Sequence, residues 1–66
     1  MNKDKVILAV EEIARAELKM PSDYQFSQGE LMELRPLLQR IVNEHPEFGY
    51  KMEKVTPTRY QMILIN

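Results

Sequence analysis

The chain has no cysteine and a single histidine, His45. Disulfides and thiolate metal sites are therefore excluded, and one histidine cannot anchor a zinc site alone, so no metal or cofactor is expected. The only two glycines, Gly29 and Gly49, lie far apart, so no glycine-rich phosphate loop exists. No pair of acidic residues marks a cleft, and a domain this small seldom encloses a ligand-sized pocket. The sequence therefore predicts that the protein is not an enzyme.

Long apolar runs are also lacking. No stretch approaches the roughly 20 apolar residues of a membrane span. The apolar residues 6–10 are too few for the core of a signal peptide, and Glu11 and Glu12 follow them at once. The sequence predicts a soluble cytoplasmic protein with no membrane partner.

A chain of 66 residues with 44% apolar and 29% charged side chains is typical of one small globular domain, 1–66. Such a domain has a thin core and often depends on oligomerisation for stability. The net charge is −1, but it is unevenly spread: residues 1–34 carry four basic and seven acidic side chains, residues 35–66 five and three. A basic second half can indicate a nucleic-acid face, although the excess here is small.

Helical periodicity covers the first two thirds of the chain. Residues 4–19 place their apolar side chains on one face, with Asp4 as the expected cap of the helix. Ser27 and Glu30 have the spacing of a capping box and predict the start of a second helix.

Pro36 interrupts this second helical pattern and allows two interpretations. A single helix over residues 28–45 would kink there, because proline lacks an N–H and clashes with the preceding turn. Alternatively, a short helix over residues 28–34 ends and Pro36 begins a third helix, since proline is accepted in the first turn. We favour the break.

The alternating pattern of residues 50–55 and 59–65 predicts two antiparallel strands joined by a turn at residues 56–58. Pairing Val55 with Arg59 sets Met52 opposite Met62 and gathers the apolar side chains on one face. The fold class is therefore α+β, with two or three helices followed by a β-hairpin. Residues 62–65 are apolar throughout, so Ile63 and Ile65 point to the other face, which an unbroken apolar strand usually has covered.

The order of three helices and a hairpin resembles that of winged helix proteins, which leads to a first hypothesis, a small DNA-binding regulator. Its third helix would present Gln39, Arg40 and Asn43 to base edges in double-stranded DNA. The hairpin would contact phosphates through Lys51, Lys54 and Arg59. Lys54 fits less well, because the register places it at the end of the apolar face.

The second hypothesis is a protein-interaction module, either a homodimeric adaptor or an inhibitor of the kind that phages encode. An apolar edge strand can bind a partner by strand addition. The expected interface residues are Tyr60, Met62, Ile63 and Ile65. In both hypotheses, the partner is a macromolecule.

Overall fold

A computed structural model describes residues 2–65 and has the α-α-α-β-β order expected of the α+β class. The helices are α1 (Lys3–Glu17), α2 (Gln28–Glu33) and α3 (Arg35–Glu44). A single 3₁₀ turn, Pro46–Phe48, leads into the strands β1 (Tyr50–Thr56) and β2 (Arg59–Leu64). None of the helices within residues 2–65 is long and apolar enough to cross a membrane.

The two ends of α1 differ from the sequence expectation. Asn2, not Asp4, caps the helix, since its Oδ1 accepts a hydrogen bond from the backbone N–H of Lys5 at 2.9 Å. At the other end, Lys19 has a left-handed backbone with φ 57°. The N–H of Lys19 donates to Ala16 and that of Met20 to Arg15, which are the two bonds of a Schellman motif. The helix therefore ends at Glu17, four residues before Pro21.

The break at Pro36 is confirmed. Ser27 and Glu30 form the expected capping box, so α2 begins where the sequence predicts. Leu34 then closes α2 and precedes α3, with φ −88° and ψ 4°. Pro36 occupies the first turn of α3, where its missing N–H costs no helical hydrogen bond.

The hairpin has the expected pairing over most of its length. Tyr50 lies opposite Leu64, Met52 opposite Met62 and Lys54 opposite Tyr60. The predicted pairing of Val55 with Arg59 is wrong: Thr56 pairs with Arg59, and Val55 forms a bulge beside a two-residue turn. A bulge and a short turn contain the same number of residues as the longer loop, so the register beyond them is unchanged.

The core lies between α1 and α3. Val6, Val10 and Ala14 of α1 are buried against Ile41 and Val42 of α3. Partly buried apolar side chains pack around this centre. They include Phe26, Leu37 and Phe48, and from the hairpin Tyr50, Met52 and Met62. One face of the hairpin therefore covers the core, and α3 contacts β1 directly.

Candidate protein-interaction surface

The outer edge of β1 is closed at Met52 by two side chains of α3. Asn43 Nδ2 donates to the carbonyl oxygen of Met52 at 3.1 Å, and Asn43 Oδ1 accepts from the Met52 N–H at 2.8 Å. Gln39 Nε2 donates to the same carbonyl at 3.2 Å. The Asn43 amide thus presents a donor and an acceptor side by side, as a peptide group of a neighbouring strand would.

The helical repeat explains this arrangement. Gln39 and Asn43 are four residues apart in α3, so their side chains lie one above the other on the same face. The opposite side of the helix contributes Ile41 and Val42 to the core. Docking of α3 on the core therefore brings the two amides to the edge of β1.

The other edge of the sheet, along β2, is open. In an antiparallel ladder, the backbone groups of successive residues point alternately toward the neighbouring strand and away from it. Met52 points its N–H and C=O away from β2, toward Asn43, and therefore its partner Met62 also points outward. Tyr60 and Leu64 share the orientation of Met62 because they are two residues away. Within residues 2–65, no helix or loop donates to or accepts from these outward groups.

The β2 edge carries few of the features that keep exposed strands apart. Natural edge strands are often protected by lysine, proline, a bulge or a covering segment. β2 contains no proline, and its only charged residue is Arg59 at the turn end. The bulge lies on β1. Leu64, the last residue of β2, exposes 62% of its surface.

An apolar pocket of about 210 Å³ lies beside this edge. Met62 is common to both features, since it lies on β2 and lines the pocket. All three helices and both strands line the pocket. The apolar lining residues are Ile7, Val10, Leu31, Met32, Leu38, Val42, Met52 and Met62. Glu11, Gln28 and Arg35 are the polar lining residues.

α2 leaves this pocket incompletely covered. The helix has no buried residue, and Met32 exposes 58% of its surface. Ile7 of α1 is also exposed, at 37%. Large apolar side chains exposed around a pocket commonly mark an interaction site.

The residues assigned to DNA base recognition are all engaged within the fold. Gln39 and Asn43 bond to Met52 as described above. Arg40 contacts Glu17 of α1 at 2.5 Å and Glu44 at 3.0 Å. The hydrogen bond that Arg40 donates to the Glu17 carboxylate raises the pKa of Arg40 above its ordinary value, so the guanidinium remains charged.

The residues assigned to phosphate contacts are exposed on the hairpin. Lys51 forms an ion pair with Glu53 at 2.9 Å. Lys54 and Arg59 lie near the turn. Arg35 of α3 reaches the same end, where its Nη1 donates to the Thr58 carbonyl at 2.5 Å and its guanidinium lies 5.7 Å from the centre of the Tyr60 ring. Lys51 and Lys54 line one open depression together with Gln39 and Asn43, so the structure brings part of the phosphate set next to part of the base set.

The residues assigned to a protein interface are brought together on β2 and just beyond it. Tyr60 and Met62 are half-buried on the face that covers the core. Ile63 and Ile65 are half-buried although they lie on the other face. The backbone N–H of Ile65 donates to Gly49, which extends the pairing past the end of the strand.

Sequence reasoning missed the edge-closing role of Asn43 and the pocket residues of α2. The spacing of Gln39 and Asn43 places both amides on one face of α3 but does not identify the group that they bind. Leu31 and Met32 were a usable signal, because α2 is too short to bury them within itself.

Among the residues that the structure describes, no group of histidine, aspartate or glutamate side chains is arranged to hold a metal ion. A scan against protein-family models and searches of curated proteins and of solved structures each find no match to this chain.

Proposed function

We propose that the chain is a small protein-interaction module that binds an extended polypeptide segment along the open edge of β2. The observation that carries this proposal is the contrast between the two edges of one sheet. Asn43 satisfies the outward groups of Met52, whereas those of Met62 have no partner within residues 2–65. An extended segment would supply the missing backbone hydrogen bonds.

The adjacent pocket supplies side-chain specificity. Alternate side chains of an added strand point to the same face as Met62, where the 210 Å³ pocket opens. A dry cavity of roughly 150 Å³ accommodates a ring the size of benzene. We therefore expect the bound segment to place one apolar or aromatic side chain there, while its backbone pairs with Tyr60, Met62 and Leu64.

This interpretation is preferred to DNA binding for a geometric reason. Base recognition by Gln39 and Asn43 would require them to release the Met52 backbone, and Arg40 would have to leave Glu17. Leaving the β1 edge unsatisfied would cost the fold some of its stability. Strand addition to β2 requires no such change.

The test uses one substitution that removes an outward N–H and one that keeps it. Leu64→Pro deletes the outward donor of a residue whose side chain is largely exposed, and proline suits an edge position. Leu64→Thr shortens the side chain and retains the N–H. A random dodecapeptide library is displayed on phage and selected on the wild-type protein.

We expect selected peptides that contain alternating apolar residues, that bind Leu64→Thr nearly as well as wild type, and that bind Leu64→Pro at least tenfold more weakly. Far-UV circular dichroism of both variants establishes that the fold is intact. The proposal is wrong if selection yields no binder, or if the peptides bind a folded Leu64→Pro protein as tightly as wild type.

A further inference from the structure

We infer that the segment that occupies the β2 edge belongs to a second copy of this chain, and that the two β2 strands pair antiparallel about a two-fold axis at Met62. The inference rests on the proposed function and names its partner. Four observations support it: the backbone groups, the side-chain faces, the charges and the exposed apolar residues.

The outward backbone donors and acceptors of β2 match those of a second β2 strand that runs antiparallel to it. A two-fold axis through Met62 sets Met62 opposite Met62 of the second copy and Tyr60 opposite its Leu64. All of these residues point their N–H and C=O outward. Each hydrogen-bonded antiparallel pair exchanges two bonds, so the three pairs form about six. An axis at Gln61 or Ile63 would leave part of this set unpaired.

The side chains also suit self-pairing. Antiparallel partners directly opposite each other point to the same face of the sheet, so the two hairpins form one four-stranded sheet with its helices on one side. Met62 of the second copy then lies next to the pocket that Met62 lines. Methionine is well suited to such a position, because its flexible side chain fills irregular apolar space.

The charges do not oppose this pairing. Arg59 is the only charged residue of β2 and lies at one end of the strand. Antiparallel symmetry moves the two Arg59 side chains to opposite ends of the paired strands, opposite Ile65 of the other copy. Like charges therefore do not meet across the interface, where they would be destabilising.

The pairing would also cover apolar surface that the single chain leaves exposed. Leu64 exposes 62% of its surface and would lie beside Tyr60 of the second copy. Ile63 and Ile65 extend the apolar strand on the other face. A two-stranded sheet is marginal by itself, and four strands that share one apolar face are more stable.

Sedimentation velocity at about 1 µM to 1 mM total protein tests the oligomeric state. We expect a concentration-dependent change from monomer to dimer. Leu64→Pro should weaken the dimer at least tenfold, and Leu64→Thr should change it less than threefold. A wild-type monomer at the highest concentration overturns the inference, as does a dimer that a folded Leu64→Pro chain forms equally well.

Cysteine cross-linking tests the register, and the absence of native cysteine makes single substitutions unambiguous. With the axis at Met62, the two Met62→Cys residues lie about 5.5 Å apart between Cα atoms, within reach of a disulfide. Ile63→Cys residues are diagonal neighbours at roughly 7–8 Å, at or beyond that reach. We expect Met62→Cys to form covalent dimers under mild oxidation much faster than Ile63→Cys or Leu64→Cys. Equal or reversed rates overturn this register.

The outcomes distinguish the two proposals. If the wild-type chain stays monomeric while selected phage peptides bind and require the Leu64 N–H, the second copy is the wrong partner and the binding edge remains. If neither a dimer nor a peptide uses the edge, both proposals fail.

Discussion

The side-chain amide of Asn43 binds both backbone groups of Met52 and so occupies the place of a third strand beside β1. No equivalent side chain reaches Met62, the residue opposite Met52, from any other part of residues 2–65. The middle of the β1 edge is thus satisfied within the fold, whereas we propose that the β2 edge binds a partner. This asymmetry leads to predictions about stability as well as about binding.

Asn43→Ala should destabilise the folded chain by about 1 kcal/mol. The substitution removes one donor and one acceptor at a partly solvated edge, where a typical hydrogen bond contributes about 0.5–1.5 kcal/mol net and alanine's better helix propensity offsets a part. Gln39→Ala should cost less, because the Met52 carbonyl keeps its bond to Asn43. Urea unfolding of the three proteins measures the differences. Equal stability of Asn43→Ala and wild type would contradict the edge-closing role.

Lys19→Gly should stabilise the protein by about 0.5–1 kcal/mol. Lys19 ends α1 with φ 57°, a left-handed conformation that glycine adopts without steric cost and other residues do not. Lys19→Ala removes the same charged side chain but keeps the strain, so it serves as the control and should bring no gain. Thermal unfolding compares the two variants, and a loss of stability in Lys19→Gly would refute this account of the helix end.

Acid should weaken the start of α2 through Glu30. The backbone N–H of Ser27 is the main cause that lowers the pKa of this carboxyl, and the Tyr24 hydroxyl lowers it further. Because the pKa of Glu30 is lower in the folded chain than in the unfolded chain, the ionised carboxylate stabilises the fold. This stabilisation is fully present above the pKa of the unfolded chain, near 4.5, and is lost as the pH falls through the pKa of the folded chain. Stability should therefore decline as the pH drops below about 4.5.

The control for this pH effect is Glu30→Gln, which can still accept from Ser27 but cannot titrate. Thermal unfolding between pH 3 and pH 7 should show a shallower acid decline in Glu30→Gln than in wild type. Glu33→Gln removes a carboxylate from the same helix outside the capping box. If Glu33→Gln flattens the profile as much as Glu30→Gln does, the capping box is not its source.

Arg35→Ala should loosen the turn end of the hairpin. Arg35 joins α3 to the hairpin through its bond to the Thr58 carbonyl and its position over the Tyr60 ring. Losing one charged hydrogen bond and one exposed cation–π contact should cost about 1–2 kcal/mol. Tyr60→Phe keeps an aromatic ring under the guanidinium and should be nearly neutral. Urea unfolding checks both variants; a stability loss from Tyr60→Phe as large as that from Arg35→Ala would assign the effect to the hydroxyl instead.

The sequence was sufficient for the elements whose causes are local. The capping box at Ser27 fixes the start of α2, and Pro36 forces a new helix because its ring cannot follow a helical turn. The pairing of Met52 with Met62 follows from the requirement that one hairpin face be apolar. All three depend on residues close in the chain or on a strict alternation.

The features that sequence reasoning missed depend on tertiary packing. Periodicity correctly places Gln39 and Asn43 on the polar face of α3, but a polar face is satisfied equally well by water, by DNA or by a strand edge. Only the docking of α3 on β1 decides among them. The left-handed Lys19 likewise has no local signal, because glycine is the usual residue there.

Amide hydrogen exchange at Met52 and Met62, measured on the dilute monomer, tests the central claim most directly. The N–H of Met52 donates to Asn43, while that of Met62 points away from the sheet. We predict that Met62 exchanges roughly tenfold or more faster than Met52, and that Asn43→Ala removes the difference. Equal protection of the two amides in the wild-type monomer would contradict the account.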